Sequence, residues 1–139
     1  MERFNYTHDE EYQGEIKYGK KDGLGIIYGR SKEKDGDRYE GEFEQDSKNG
    51  IGIRVWKNGM KFVGQWKDDR MEGRGIFSWS SGKKYEGEFK DNQMEGIGTY
   101  YYVSGDKYEG EWKNSMKNGK GIYYYNNGDW LQGVERQQS

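Results

Sequence analysis

The stretch 85–98, YEGEFKDNQMEGIG, recurs along the chain with small changes and determines how the whole sequence is interpreted. Twenty-three residues later the chain reads YEGEWKNSMKNGKG at 108–121, and 23 residues earlier it reads FVGQWKDDRMEGRG at 62–75. Two further copies are YEGEFEQDSKNGIG at 39–52 and the more divergent YQGEIKYGKKDGLG at 12–25. A fixed period of this length is the signature of a repeat architecture.

The register of the repeat is set by an aromatic residue that opens each copy. Glycine follows two positions later, a large apolar residue two positions after that, and a G-x-G seven residues further on. All but Gly19 and Gly29 of the 23 glycines keep this register. The opening aromatics are Tyr12, Tyr39, Phe62, Tyr85 and Tyr108. We therefore predict one repeat domain over 1–139, in which partial repeats 1–11 and 131–139 flank the full repeats 12–38, 39–61, 62–84, 85–107 and 108–130.

Each repeat is predicted to form a β-hairpin. In the stretch 85–89, apolar and glycine positions alternate with glutamates, which is the pattern of a strand buried on one face. A polar, turn-like segment follows, and then Gly98 leads into Thr-Tyr-Tyr-Tyr, which is rich in β-formers. Glycine inside a strand is costly unless a neighbouring aromatic covers it. We therefore expect an all-β chain in which each opening ring packs over glycines of a neighbouring strand.

Composition and charge exclude several classes of protein. The net charge is −2, so nucleic-acid binding driven by overall charge is not expected, and the absence of cysteine excludes disulfides and thiolate metal sites. Charged residues reach 35%, but aromatics reach 17%, whereas disordered chains are poor in aromatics. The N-terminal stretch MERFNYTHDEEY has no apolar core of the signal-peptide type, and no apolar run is long enough to span a bilayer. These features predict a folded intracellular chain with no transmembrane segment.

The pattern Y-x-G-x-W/F, a polar turn and then G-x-G resembles the MORN repeat family (membrane occupation and recognition nexus), and it covers the chain from about Phe4 to Gly133. The sequence departs from it at Ile16, Leu131 and Glu135, and by four extra residues within 29–36. The resemblance implies an elongated, twisted, single-layer antiparallel sheet of tandem β-hairpins. It also implies no catalysis by the repeats themselves. Related repeats serve as accessory modules on enzymes, in junctional membrane proteins, and in cytoskeletal and ciliary assemblies.

No pattern in the sequence indicates catalysis, a cofactor or a metal. The G-x-G recurs five times and precedes strands, whereas dinucleotide binding needs a third glycine and a following helix. The glutamates hold equivalent positions in successive repeats, as a solvated face does, and the single histidine, His8, has no recognisable partner motif. We expect a protein that is not an enzyme and that needs neither cofactor nor metal.

Aromatic residues of the second strands are the candidate partner-binding residues. Alternation places Tyr100 and Tyr102 on one face and Tyr101 on the other. A single sheet leaves at least one apolar face uncovered, and exposed tyrosine and tryptophan are favoured at binding hot spots. The alternative is that these rings only build the fold. The candidates are Trp56, Trp79, Tyr100, Tyr101, Tyr102, Tyr123, Tyr124 and Tyr125.

The predicted function is a non-catalytic structural or scaffolding protein that binds protein partners through the faces and edges of its sheet. By resemblance, a ciliary, flagellar or other cytoskeletal complex in the cytoplasm is the natural setting. One alternative is an accessory subunit of an enzyme complex. Another is a peripheral membrane module that contacts anionic lipid through Lys20, Lys21, Lys83 and Lys84. Those lysines do not form the run of 4–8 basic residues that is typical of lipid-binding segments.

Overall fold

The computed structural model describes residues 9–30 and 34–136, together with the backbone of residues 2–7. The side chains of Phe4 and Tyr6, and His8, therefore lie outside the described residues. The described residues form antiparallel β-strands joined by turns and contain no helix, which confirms the predicted all-β class. The strands are β1 Glu2–Thr7, β2 Glu10–Lys17, β3 Lys20–Gly29, β4 Arg38–Glu44, β5 Ser47–Val55, β6 Lys61–Lys67, β7 Arg70–Ser78, β8 Lys84–Lys90, β9 Gln93–Tyr101, β10 Lys107–Lys113, β11 Met116–Tyr124 and β12 Trp130–Glu135.

The chain divides into two compact units, Met1–Arg70 and Met71–Ser139, here called the N-terminal and C-terminal units. In the N-terminal unit the strands pair antiparallel in chain order, from β1 with β2 to β5 with β6. The strands from β7 to β12 pair in the same way in the C-terminal unit. The predicted hairpin is confirmed for repeats 12–38, 39–61, 85–107 and 108–130. Within each unit, the first strand of a repeat also pairs with the last strand of the preceding repeat.

In four of the five full repeats, the core contains a tyrosine ring that lies on a glycine. A Cβ added to Gly98 would lie 2.2 Å from the hydroxyl oxygen of Tyr85 and 2.3 Å from its Cζ, so only glycine leaves room for the ring. Tyr85 is fully buried, and the Phe89 ring meets it edge-on at 5.2 Å. Equivalent contacts join Tyr12 to Gly25, Tyr39 to Gly52 and Tyr108 to Gly121. The expectation that opening rings pack over glycines is confirmed for these four tyrosines.

In three repeats, the glutamate that follows the first glycine hydrogen-bonds across a β-bulge. The register of β8 and β9 shifts between Gly87 and Phe89, and Gly96 takes a left-handed φ of 78° opposite this point. The Glu88 carboxylate accepts the Ile97 backbone N–H at 2.5 Å. Glu15 and Glu42 accept the equivalent amides of Leu24 and Ile51 at the same distance. These carboxylates are therefore part of the hairpin itself.

Two-residue turns join the strands of each hairpin. Asp91 and Asn92 both have positive φ, 49° and 69°, as a type I′ turn requires. The Asn92 Oδ1 accepts the backbone N–H of Met71 at 2.9 Å, and the Asn92 N–H donates to the Met71 carbonyl at 3.1 Å. Asp46 and Asp69 make the same pair of contacts with Lys21 and Lys48. Each of these turns is thus bonded to the hairpin before it.

Candidate functional site

Five aromatic side chains form a continuous row on the core face of the C-terminal unit. We call this row the aromatic ladder. The ring centroids are 5.5 Å apart for Trp79 and Tyr100 and 4.9 Å apart for Tyr100 and Tyr102. Tyr123 lies nearly parallel to Tyr102 and to Tyr125, at 6.4 Å from each. The ladder consists of Trp79, Tyr100, Tyr102, Tyr123 and Tyr125.

The ladder faces one side because its residues alternate along the strands and continue into the next turn. Tyr100 lies in β9 opposite Tyr85 and Tyr108, so it shares their face. Tyr102 follows the end of β9, where its N–H donates to the Asp106 carbonyl and its carbonyl accepts the Gly105 N–H. Trp79 and Tyr125 hold the same place in their own turns. The predicted division of Tyr100 and Tyr102 from Tyr101 is confirmed.

A shallow groove of ≈ 400 Å³ opens beside three residues of the ladder, Trp79, Tyr100 and Tyr102. The Tyr100 ring stacks on Trp112 at 5.8 Å, and the Trp112 indole N–H is fixed by the Gly98 carbonyl at 3.0 Å. The lining is mostly apolar, but it contains one serine and one lysine. The lining residues are Trp79, Met94, Tyr100, Tyr102, Trp112, Ser115, Met116 and Lys117.

Lys117 places a cation inside an aromatic cage at the groove. Its Nζ lies 5.2 Å, 4.9 Å and 4.5 Å from the ring centroids of Tyr102, Tyr108 and Tyr123. The ammonium also donates hydrogen bonds to the hydroxyls of Tyr102 and Tyr123. Burial lowers the pKa of Lys117, but the hydrogen bonds and the electrostatic interactions with Tyr102 and Tyr123 together raise the pKa above its ordinary value. The side chain is therefore a protonated cation at neutral pH.

The repeat position of Lys117 varies between lysine and methionine. The same position, nine residues after the opening aromatic, holds Lys21, Lys48, Met71 and Met94 in the other repeats. The Lys48 ammonium lies over Tyr39 at 5.4 Å and over Trp66 at 5.7 Å, and burial lowers its pKa. Both side chains fit between the rings, because methionine and a lysine stem have similar length and flexibility. Only lysine brings charge to the ring face.

The opposite face of the C-terminal unit carries alternating lysines and aromatic rings. The Lys84 ammonium lies 4.7 Å from the ring centroid of Tyr101, and the Lys107 ammonium lies 4.9 Å from that of Tyr124. Trp130 continues this row opposite Tyr124 and is 63% exposed. Of the eight predicted partner-binding aromatics, Tyr101 and Tyr124 thus lie apart from the ladder, on the other face.

The remaining predicted residues are distributed over both units. Trp56 belongs to the N-terminal unit and stacks with Arg54, whose guanidinium carbon lies 4.9 Å from the ring centroid. Lys21 lies over the Tyr12 and Phe43 rings, while its neighbour Lys20 is exposed. Lys83 is exposed in the turn before β8. The lysine pairs of the lipid hypothesis therefore include members that are already engaged with rings of their own chain.

Sequence reasoning missed Lys117, Trp112 and the groove that they line. The only signal was that lysine recurs nine residues after the opening aromatic in several repeats. This recurrence does not show that the lysine is covered by aromatic rings. Among the residues that the structure describes, no group of histidine, cysteine, aspartate and glutamate side chains has the arrangement of a metal site. Within that same part of the chain, no helix is long and apolar enough to cross a membrane.

The comparison with known families agrees with the hairpin repeats. The MORN repeat matches residues 12–32, 39–61, 62–84, 85–107 and 108–130, which together form most of the chain. No curated protein matches the sequence. Since five consecutive repeats match and the described residues fold as the corresponding hairpins, this chain belongs to the MORN-repeat family.

Proposed function

We propose that this MORN-repeat chain is a non-catalytic scaffolding protein that holds a protein partner on the aromatic ladder. The observation that carries the proposal is the ladder itself. Its five rings follow one another in a row, no second layer covers them among the described residues of the C-terminal unit, and Tyr125 remains 41% exposed. A continuous row of rings with polar tips is the composition of a protein-binding hot spot.

A non-catalytic role is supported by what the repeated carboxylates do. Glu15, Glu42 and Glu88 each cap a backbone N–H at a β-bulge, so these copies are structural. A ciliary or cytoskeletal complex in the cytoplasm is the setting that we propose, because a row of evenly spaced binding groups suits a component of a regular assembly. An accessory subunit of an enzyme complex would use the same surface.

Contact with anionic lipid is the alternative function. The row of Lys84, Tyr101, Lys107, Tyr124 and Trp130 supports it, since basic and aromatic side chains favour a membrane interface. Two observations oppose lipid contact. The Lys107 ammonium lies 3.8 Å from the Glu109 carboxylate, which would be repelled by an anionic surface. Each lysine near such a surface also adds only about 1 kcal/mol to the binding free energy.

Capture from an extract of the source cells tests the proposal. The bait is the full chain, the ladder variant carries Tyr102→Ser and Tyr125→Ser, and the matched control carries Tyr101→Ser and Tyr124→Ser on the other face. We expect the wild type and the control to retain the same partner, and the ladder variant to lose it. Equal capture of the partner by all three proteins would overturn the proposal. Binding of the wild type to vesicles of anionic lipid, with no protein captured from the extract, would overturn it as well.

A further inference from the structure

Equivalent rings of the ladder recur once in every repeat of the C-terminal unit. Trp79, Tyr102 and Tyr125 each occupy the first position after the second strand of a hairpin, 23 residues apart. One repeat contributes two strands, and neighbouring strands lie roughly 4.7–4.9 Å apart. The equivalent rings are therefore spaced at about 9.4–9.8 Å along the direction that crosses the strands.

This spacing distinguishes between the conformations that a bound segment can adopt. A polyproline II helix has three residues per turn and a rise of 3.1 Å, so the same side returns every ~9.3 Å. An extended β-strand presents one side every ~6.7 Å, and an α-helix returns to nearly the same side after seven residues, at ~10.5 Å. Polyproline II therefore comes closest to the ladder, and successive turns of it would meet successive rings.

The side chains of the groove have the chemistry that such a segment requires. Proline-rich segments dock on surfaces lined by aromatic rings, where proline packs flat against the ring faces. Trp79, Tyr100, Tyr102 and Trp112 are the aromatic side chains that line the ≈ 400 Å³ groove. The equivalent positions of the N-terminal unit hold Gly29 and Trp56, so a row of three rings exists only in the C-terminal unit among the described residues.

Lys117 adds a requirement for charge. Among the described residues, it is the one basic side chain that lines the groove, and its ammonium lies at the hydroxyls of Tyr102 and Tyr123, between successive rings of the ladder. Because no described residue of the lining is acidic, a carboxylate of the bound segment gains a nearby positive charge without facing a negative one there. The groove therefore favours an acidic residue between the prolines.

We propose that the aromatic ladder binds a polyproline II segment of a partner, with prolines at every third residue facing Trp79, Tyr102 and Tyr125 and an acidic residue beside Lys117. The proposal rests on the proposed function, since it names the chemistry of the partner that the ladder holds. Three rings at this spacing span seven residues of such a segment.

Titration of the full chain with synthetic peptides tests the binding mode. The probe is PPEPPEPPEP, and the comparison peptides replace its prolines by glycine or its glutamates by lysine. Binding is followed by tryptophan fluorescence and by isothermal titration calorimetry. We expect saturable binding of the probe, with affinity about tenfold or more lower for the glycine peptide and for the Tyr102→Ser, Tyr125→Ser variant. The Tyr101→Ser, Tyr124→Ser control should bind as the wild type does.

A lysine substitution tests the charge requirement separately. Lys117→Met places at this position the residue that two other repeats carry, Met71 and Met94, so the packing between the rings is retained. We expect this variant to lose the preference for the glutamate peptide over the lysine peptide, while circular dichroism shows an unchanged fold. An undiminished preference would overturn the role of Lys117. Absence of saturable binding by the probe, or equal weakening by the control variant, would overturn the whole inference.

Competition separates failure of this inference from failure of the proposed function. Excess probe should release the partner captured from the extract. If the partner is lost with the ladder variant but the probe does not release it, the ladder binds a protein in another conformation, so the inference is wrong and the proposed function stands. If the ladder variant retains the partner, the proposed function is wrong as well.

Discussion

The contact between a ring and a glycine is the residue-scale unit of stability in this protein. We expect Gly98→Ala to destabilise the chain by about 1–3 kcal/mol, because the added Cβ would overlap the buried Tyr85 ring and force it to move. Gly133→Ala is the matched control, since Gly133 lies in β12 with no heavy atom within 4 Å of the added Cβ. Its stability should be unchanged or up to about 1 kcal/mol higher. Urea unfolding followed by tryptophan fluorescence measures both, and equal losses would contradict the role of the ring.

The hydroxyls of the buried tyrosines provide a second comparison at this scale. The Tyr85 hydroxyl donates to the Glu88 carbonyl at 2.9 Å, whereas the Tyr108 hydroxyl is buried without a hydrogen-bond partner. Tyr85→Phe should therefore cost about 0.5–1.5 kcal/mol, while Tyr108→Phe should be neutral or slightly stabilising. Both variants keep the ring, so the difference isolates the hydroxyl. A greater loss for Tyr108→Phe in the same urea assay would show that its hydroxyl has a partner.

At the scale of the strand and the hairpin, the type I′ turns link neighbouring repeats. Asn92→Ala replaces asparagine, which tolerates the left-handed region, by alanine at φ 69° and removes the acceptor of the Met71 N–H, so we expect a loss of about 1–2 kcal/mol. Asn92→Asp is the control, because Asp46 and Asp69 occupy the same position in other repeats and keep this contact. Thermal unfolding followed by circular dichroism should separate the two variants. Similar destabilisation of both variants would contradict these causes, because aspartate keeps both the acceptor and the tolerance of a positive φ.

The strands and hairpins of this fold were predictable, because the alternation of apolar and polar residues and the repeated glycine positions are local patterns in the sequence. The hairpins, the position of Tyr85 over Gly98 and the division of Tyr100 from Tyr101 all follow from alternation along a strand. The cage around Lys117 does not, because its three rings come from β10, β11 and the turn after β9 and meet only after the strands pair. A charged residue also gives no sign in the sequence that aromatic rings will cover it.

For the whole molecule, repetition means that one full repeat can be removed without changing the pairing of the strands that remain. Deletion of residues 85–107 joins Lys84 to Tyr108 and so reproduces the junction between Lys107 and Tyr108. Tyr108 and Gly110 then take the places of Tyr85 and Gly87 opposite β7. Deletion of residues 85–96 instead joins Lys84 to Ile97. The rest of β9, which is the second strand of its hairpin, then follows β7 directly, and no opening aromatic is present at that place.

We expect the shorter chain without residues 85–107 to unfold cooperatively, with lower stability and a smaller dependence on urea, because both scale with the number of repeats and the surface they bury. The chain without residues 85–96 should lose the near-ultraviolet circular dichroism of its tyrosines and tryptophans, although fewer residues are missing. The full-repeat deletion also brings Trp79 next to Tyr125 in the ladder and removes one ring step, so it should bind the proline-rich probe more weakly while remaining folded. If the two deletions unfold the protein equally, the repeats are not interchangeable, and stability depends on contacts that are specific to residues 85–107.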